Sequence, residues 1–431
     1  MRGTMKKAAG QLGIILRAVL FIGFSIRIVL GLVWMVSHFV EIQEFSRVSS
    51  GIYPLFVRIV GPVPQVLYVL QLGAAFGAGW QLLKVFGVSD RLWRTWGALV
   101  LLTFPMAMQC HLALLPYSFV SSLILLEVGF CAQTMTENRL LSLTKLSKAG
   151  CCMLGLALLL PEYVWLGAIP LVFTVLLKLK AMWTQPKRLL YSCLLVAAFC
   201  GMLGGIGSLV PKGDSTSRNL WFSIASRTAW PTFWVDSSGW SEGLYEVVGE
   251  SAWEISIRPG HMEQILRPLL ESRVGAEQAE EYYREMAATA WERHRSRILR
   301  QVFWDVLIYG TPEAVLQMQL SGIGYDSLSG RNYEVMAMRH PVMTKYYVSY
   351  SSWWFWVSLG IAVLLLPMRL VAGDKLFLRR YLTFGAVTVL WMAAIVLYYT
   401  MQGAGIADYK CTLAAGQLWY GLVLAECRRG D

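Results

Sequence analysis

The sequence predicts an all-α polytopic membrane protein, with about ten transmembrane helices and one mainly helical extracytoplasmic domain. Three observations predict it. Of its 431 residues, 56% are hydrophobic and 13% aromatic, while only 15% are charged; soluble globular chains carry about a quarter charged residues. Apolar runs of about 20 residues, the length a helix needs to cross the hydrocarbon core, recur along the chain. Between them stands one polar block, residues 211–350, which has no cysteine and has lysine only at Lys212 and Lys345.

In order, the candidate spans cover residues 11–40, 64–86, 93–110, 112–133, 146–160, 163–179, 189–209, 353–371, 381–401 and 409–425. The chain thus divides into an N-terminal membrane bundle at 1–210 with a first external loop at 41–63, an extracytoplasmic domain at 211–350, and C-terminal membrane helices at 351–431. MRGTMKK precedes an apolar run far longer than a signal-peptide core, so it reads as a retained first span.

The net charge of +11 sits mostly in short links between apolar runs, where lysine and arginine orient spans and do not form a nucleic-acid surface. Lys6 and Lys7, Lys84 with Arg91 and Arg94, Arg139 with Lys145 and Lys148, Lys178 through Arg188, Arg369 through Arg380, and Arg428 with Arg429 all fall on one face. By the positive-inside rule that face is cytoplasmic. Both termini are then inside and the polar block outside. The eight cysteines all lie within or at the ends of apolar runs, which speaks against a disulfide framework or a metal site. The chain lacks an Asn-x-Ser/Thr acceptor, in keeping with a bacterial plasma membrane.

Within the block, a Trp- and Ser-rich loop gives way to short helices and then to a long helix predicted from Ala276 to Tyr309. Gly275 marks its start, and Met286, Ala290, Ile298 and Val302 form one apolar stripe. The cluster Trp353, Trp354, Phe355 and Trp356 suits an interfacial aromatic belt where the chain re-enters the bilayer.

The chemistry-bearing residues concentrate at the external links. The first reads EIQEFSRVSSGIYPLF. Glu41 and Glu44 are three apart and share a face on a helical start. A carboxylate held there can take the proton from an acceptor hydroxyl during sugar transfer from a lipid carrier. Arg47 and Arg58 follow, and guanidinium groups suit a lipid phosphate or pyrophosphate. The plainer alternative is a charged collar that stops the span.

Glu162, after Pro161, lines a cavity or stabilises a first helical turn. Asp408 reaches a lipid phosphate through a divalent cation or caps the last span. Arg227 is the best external phosphate ligand outside the first link. His38 and His111 are isolated and stay outside the site. Arg27 and Glu127 fall mid-span, where an unpaired charge costs about 2.5 to 3.5 kcal/mol on insertion scales. They are expected to face the bundle interior and to pair with each other or share a water-filled cavity.

Together the acidic link ending in GIYPLF, the hairpin LLPEYVW, the loop SRTAWPTFW and the turn QGAGIADYK resemble the integral-membrane glycosyltransferases of the GT-C fold, and among these bacterial relatives of the protein O-mannosyltransferases. The resemblance implies a polyprenyl-phosphate-linked sugar as donor, a glycan or protein acceptor, and an acidic residue in the first external loop acting as base or metal ligand. That role falls on Glu41 or Glu44; where the family commonly carries an adjacent acidic pair, this chain has Glu-x-x-Glu. The resemblance implies no certain cofactor and leaves a divalent cation open. The competing readings are a transporter or flippase of a lipid-linked saccharide and a non-catalytic partner in envelope assembly.

Overall fold

The computed structural model describes residues 2–38, 52–60, 63–112, 116–136, 142–159, 164–183, 186–209, 221, 225, 238–248, 266–309, 341–372 and 413–428. Every regular element among them is helical: α1 (Arg2–His38), α2 (Tyr53–Val60), α3 (Pro64–Val85), α4 (Arg91–Leu102), α5 (Pro105–Leu112), α6 (Tyr117–Thr136), α7 (Leu143–Leu159), α8 (Val164–Trp183), α9 (Pro186–Leu209), α10 (Glu242–Val248), α11 (Arg267–Val274), α12 (Ala276–Tyr309), α13 (Pro341–Ala372) and α14 (Leu413–Arg428). Contacts divide the chain into two units, the first holding α1 to α9 with α13 and α14, the second α10 to α12.

Four helices of the first unit are long and apolar enough to cross a membrane, through Gln11–Val36, Pro64–Val85, Tyr117–Thr134 and Tyr346–Leu365. The chain is therefore read as a membrane protein. Shorter apolar stretches lie in α8 and α9, at Gly167–Leu176 and Leu190–Leu203. The candidate span at 381–401 lies outside the described residues. α13 begins at Pro341, so helix reaches back into the block that composition marks as polar.

The candidate span at 93–110 is not one helix, and Pro105 is the reason. Proline brings no N–H and disfavours helical geometry in the residue before it. α4 accordingly stops at Leu102 and α5 starts at Pro105. The break costs the Val100 carbonyl its helical donor, because the Phe104 N–H turns to the Leu101 carbonyl at 3.4 Å, and Pro105 has no N–H to give Leu101; the surroundings are fully buried, with Leu101 and Phe104 at 0% exposure. A buried carbonyl left without a donor costs about 1–3 kcal/mol.

Side chains from distant helices supply the donors. Arg27 of α1 donates through Nη2 to the Val100 carbonyl. Gln417 Nε2 of α14 donates to the Leu101 carbonyl at 3.2 Å, and the Tyr347 hydroxyl of α13 donates to the Thr103 carbonyl. Gln417 also accepts from Ser121 Oγ of α6. Thr103 Oγ1 turns back onto the Leu99 carbonyl at 2.8 Å. One break is thereby tied to α1, α6, α13 and α14.

Arg27 is fully buried, and its guanidinium carbon lies 4.7 Å from the Tyr420 ring centroid, 5.6 Å from that of Phe104 and 5.7 Å from that of Phe24. Aromatic faces are attractive to a cation removed from water. The expected pairing of Arg27 with Glu127 does not form. Neither Glu127 oxygen has a hydrogen-bond partner among the described residues, and Arg27 donates to a main-chain carbonyl instead.

α13 runs antiparallel to α1, since Tyr347 packs on Trp34 with centroids 5.5 Å apart while Trp354 packs on Phe24 at 5.8 Å. Between these contacts the Tyr350 hydroxyl donates to the Gly23 carbonyl at 3.0 Å. A Cβ at Gly23 would run into the Trp354 ring, so the close approach requires glycine. The aromatic cluster thus splits by face: Trp354 is 8% exposed and holds the bundle, while Trp353 and Trp356 are 73% and 47% exposed.

In the second unit, α12 follows the predicted boundaries, with a kink at His294, where φ is −122°. Gly275 adopts φ 81°, ends α11 and lets the chain reverse into α12. Leu244, Val248, Leu266, Leu270, Tyr283 and Met286 form its core. Ser241 caps α10, and its hydroxyl donates to Glu285 of α12 at 2.8 Å. Of the predicted stripe, Met286, Ala290 and Ile298 are buried. Burial also raises the Tyr283 phenol above its ordinary 10.0, so the neutral form is the one this core accommodates. Its contribution to stability is complete below pH 10 and is lost as the pH rises past that value.

Removing a donor at the break tests its role. Gln417→Leu should lower stability by about 1–3 kcal/mol, read as a lower thermal midpoint of the purified protein in detergent. Adding Pro105→Ala, which returns an N–H one turn after Leu101, should recover part of that loss. If the two changes simply add, Gln417 is not acting through the Leu101 carbonyl.

Candidate functional site

The link between α1 and α2 is where sequence places the acid–base chemistry, and the structure describes the helices on both sides of it. α1 ends at His38, and the chain is again described from Ile52, where GIYPLF folds into α2. Pro54 stands in the first turn of that helix, where its missing N–H is no loss. The Ile52 N–H donates to the Leu158 carbonyl in the last turn of α7, at 2.8 Å. Phe56 of α2 meets Phe119 at the start of α6 edge-on, with centroids 6.0 Å apart. Tyr53 is fully buried and its hydroxyl accepts from Gln71 Nε2 of α3 at 3.4 Å.

These contacts gather the end of the first link, the start of α6 and the end of α7 at one end of the first unit. Glu162 follows α7 in the chain, three residues after its last residue, Leu159. Arg58 lies in the last turn of α2 with an exposed side chain, available to an anion beside that end. Glu41, Glu44, Arg47, Glu162, Arg227 and Asp408 lie outside the described residues.

Among the described residues no group of three or more His, Cys, Asp or Glu is placed to hold a metal ion. Arg284 in the second unit stacks over Trp221 at 4.8 Å, and Arg293 donates to Ser238 Oγ, so both cations are engaged within their own unit.

A second polar feature has a different character. Glu127, midway along α6, is fully buried. Its Oε2 presses on Gly167 of α8, where a Cβ would overlap it. Cys131 and Cys152 lie close to the carboxyl, and Thr174 of α8 is hydrogen-bonded to Cys131. The Thr174 hydroxyl also donates to the Pro170 carbonyl at 2.7 Å. Sequence marked Glu127 as mid-span but looked to Arg27 for its partner; Gly167 and Pro170 on α8 were the signals for close approach and an open helical carbonyl. No protein-family model matches this chain, and no curated protein or solved structure matches it either.

Proposed function

We propose that this protein is a multi-pass glycosyltransferase of a bacterial plasma membrane, moving one sugar from a polyprenyl-phosphate donor to an envelope glycan or protein acceptor at the outer face. The observation that carries the reading is the Ile52 to Leu158 backbone bond. It brings the exit of the glutamate-bearing link against the helix that leads to Glu162, the arrangement needed if carboxylates and cations from separate links are to meet one lipid headgroup.

In the proposed reaction the acceptor hydroxyl oxygen attacks the anomeric carbon, and Glu44 takes the hydroxyl proton as the new bond forms. The bond from that carbon to the phosphate oxygen breaks, with inversion, and polyprenyl phosphate leaves carrying the electron pair. Arg58, with Arg47 and Arg227, offers guanidinium groups to that phosphate. Glu41 is the reserve base. Asp408 would hold a divalent cation if one is used. Carboxylates near an external end favour bond chemistry over transport, for which charges near the midplane are the commoner design. Glu127 is the observation favouring the second reading, a transporter or flippase of a lipid-linked saccharide.

Glu44→Gln is expected to lower transfer from radiolabelled polyprenyl-phosphate sugar by about 10²- to 10⁴-fold, the usual contribution of a general base, with expression and donor binding retained. Glu41→Gln is expected to be milder. Full turnover in both variants would remove the base from the first link.

The orientation is checked separately, in a background lacking the native cysteines. A membrane-impermeant thiol reagent added to intact cells should label Ser238→Cys and leave Ser147→Cys unlabelled. The opposite pattern would put the polar block inside and reject an outer-face reaction.

A further inference from the structure

Glu127 presents a problem in charge balance. It is fully buried within a membrane helix, and neither carboxyl oxygen accepts a hydrogen bond among the described residues. The titratable groups facing it are Cys131 on its own helix and Cys152 on α7. From α8 it meets Gly167, with Thr174 close by on Cys131, and neither carries charge. Among the described residues, no charged group of α3, α5 or α14, which also pack on α6, bears on it. An isolated carboxylate here would cost several kcal/mol, so a compensating positive charge has to arrive at the carboxyl itself.

The geometry chooses among the cations. Gly167 approaches so closely that even a methyl group would overlap Oε2, which leaves no room on that side for an organic ammonium or a hydrated ion. A bare metal ion needs several further oxygen ligands. The lining offers two thiols and one hydroxyl already donating to the Pro170 carbonyl. A proton needs neither space nor a ligand shell, only an acceptor for the O–H it creates. α8 holds one: Pro170 lies inside the helix and has no N–H, so the carbonyl of Leu166, four residues earlier and adjacent to Gly167, lacks its helical donor.

We infer that Glu127 is a proton-binding site inside the membrane bundle, and that the bound proton is donated to the open Leu166 carbonyl, latching α6 to α8. Release of the proton breaks that bond and leaves a bare charge against Gly167, so the two helices separate. Cys131 and Thr174, bonded across the same seam, then hold α6 to α8 together with the apolar packing of Phe130 and Cys131 on Ala168 and Leu171. The site uses none of the residues assigned to sugar transfer and stands whether or not transfer occurs.

Infrared difference spectroscopy on the purified full-length protein in lipid nanodiscs tests this directly. At neutral pH the wild type should show a carboxylic-acid carbonyl band that shifts in heavy water, fades as the pH is raised and is lost in Glu127→Gln. An acid band unaffected by Glu127→Gln, or a carboxylate band in its place, overturns the site. Should Glu127→Gln not fold, Glu127→Asp keeps an acid and is expected to move the same band; an unmoved band has the same overturning force. Pro170→Ala supplies an N–H to the Leu166 carbonyl and removes the acceptor. The acid band should then shift toward that of a free acid, and a band that stays in place rejects the latch.

Discussion

A helix that breaks in buried surroundings must find hydrogen bonds for its freed carbonyls, because no water is at hand to take them. The gap between α4 and α5 imposes that requirement on the rest of the first unit. Val100, Leu101 and Thr103 present carbonyls there, and a guanidinium, a carboxamide and a phenol answer them from three different helices. Helices at the two ends of the chain are thereby joined through main-chain atoms of the third candidate span. The aromatic packing of Phe24, Phe104, Trp354, Phe355 and Tyr420 closes around the same point, so hydrogen bonding and ring packing are satisfied by one arrangement.

The two mid-span charges fare differently because their chemistry differs. Arginine carries five donors on a planar, weakly hydrated cation, so it can spend donors on a carbonyl while its faces lie against rings. Arg27 does both, in a setting made of a helix end and three aromatic side chains. Ionised glutamate can only accept, and the seam between α6, α7 and α8 supplies thiols, a glycine and an already bonded hydroxyl. Packing has brought Glu127 to a place where its charge has no answer among the described residues, whereas Arg27 has been built into the frame.

Much of the architecture was legible in the sequence. Hydropathy located the helices that became α1, α3, α6 and α13, because burial in a bilayer is set by local composition. Gly275 and the apolar positions around Met286 located α12, since a positive φ and a 3.6-residue period are both local properties. Apolar length read 93–110 as one span, whereas the backbone chemistry of Pro105 divides it into α4 and α5. At the candidate site, the acidic link ending in GIYPLF was legible in the sequence, while the anchorage of its end to Leu158 was not.

What the sequence by itself determined was therefore the long apolar helices, the position of α12, the buried arginine and glutamate, and the concentration of carboxylates in the first link. Each follows from a residue's own backbone chemistry or from the solvent its neighbours require. What only the tertiary structure decided was who answers whom. The donors to Val100, Thr103 and Leu101 come from 73, 244 and 316 residues away, and Gly167 meets Glu127 from another helix. Pairings at such separations depend on which helix faces lie together, and that is fixed by the packing of all the helices at once.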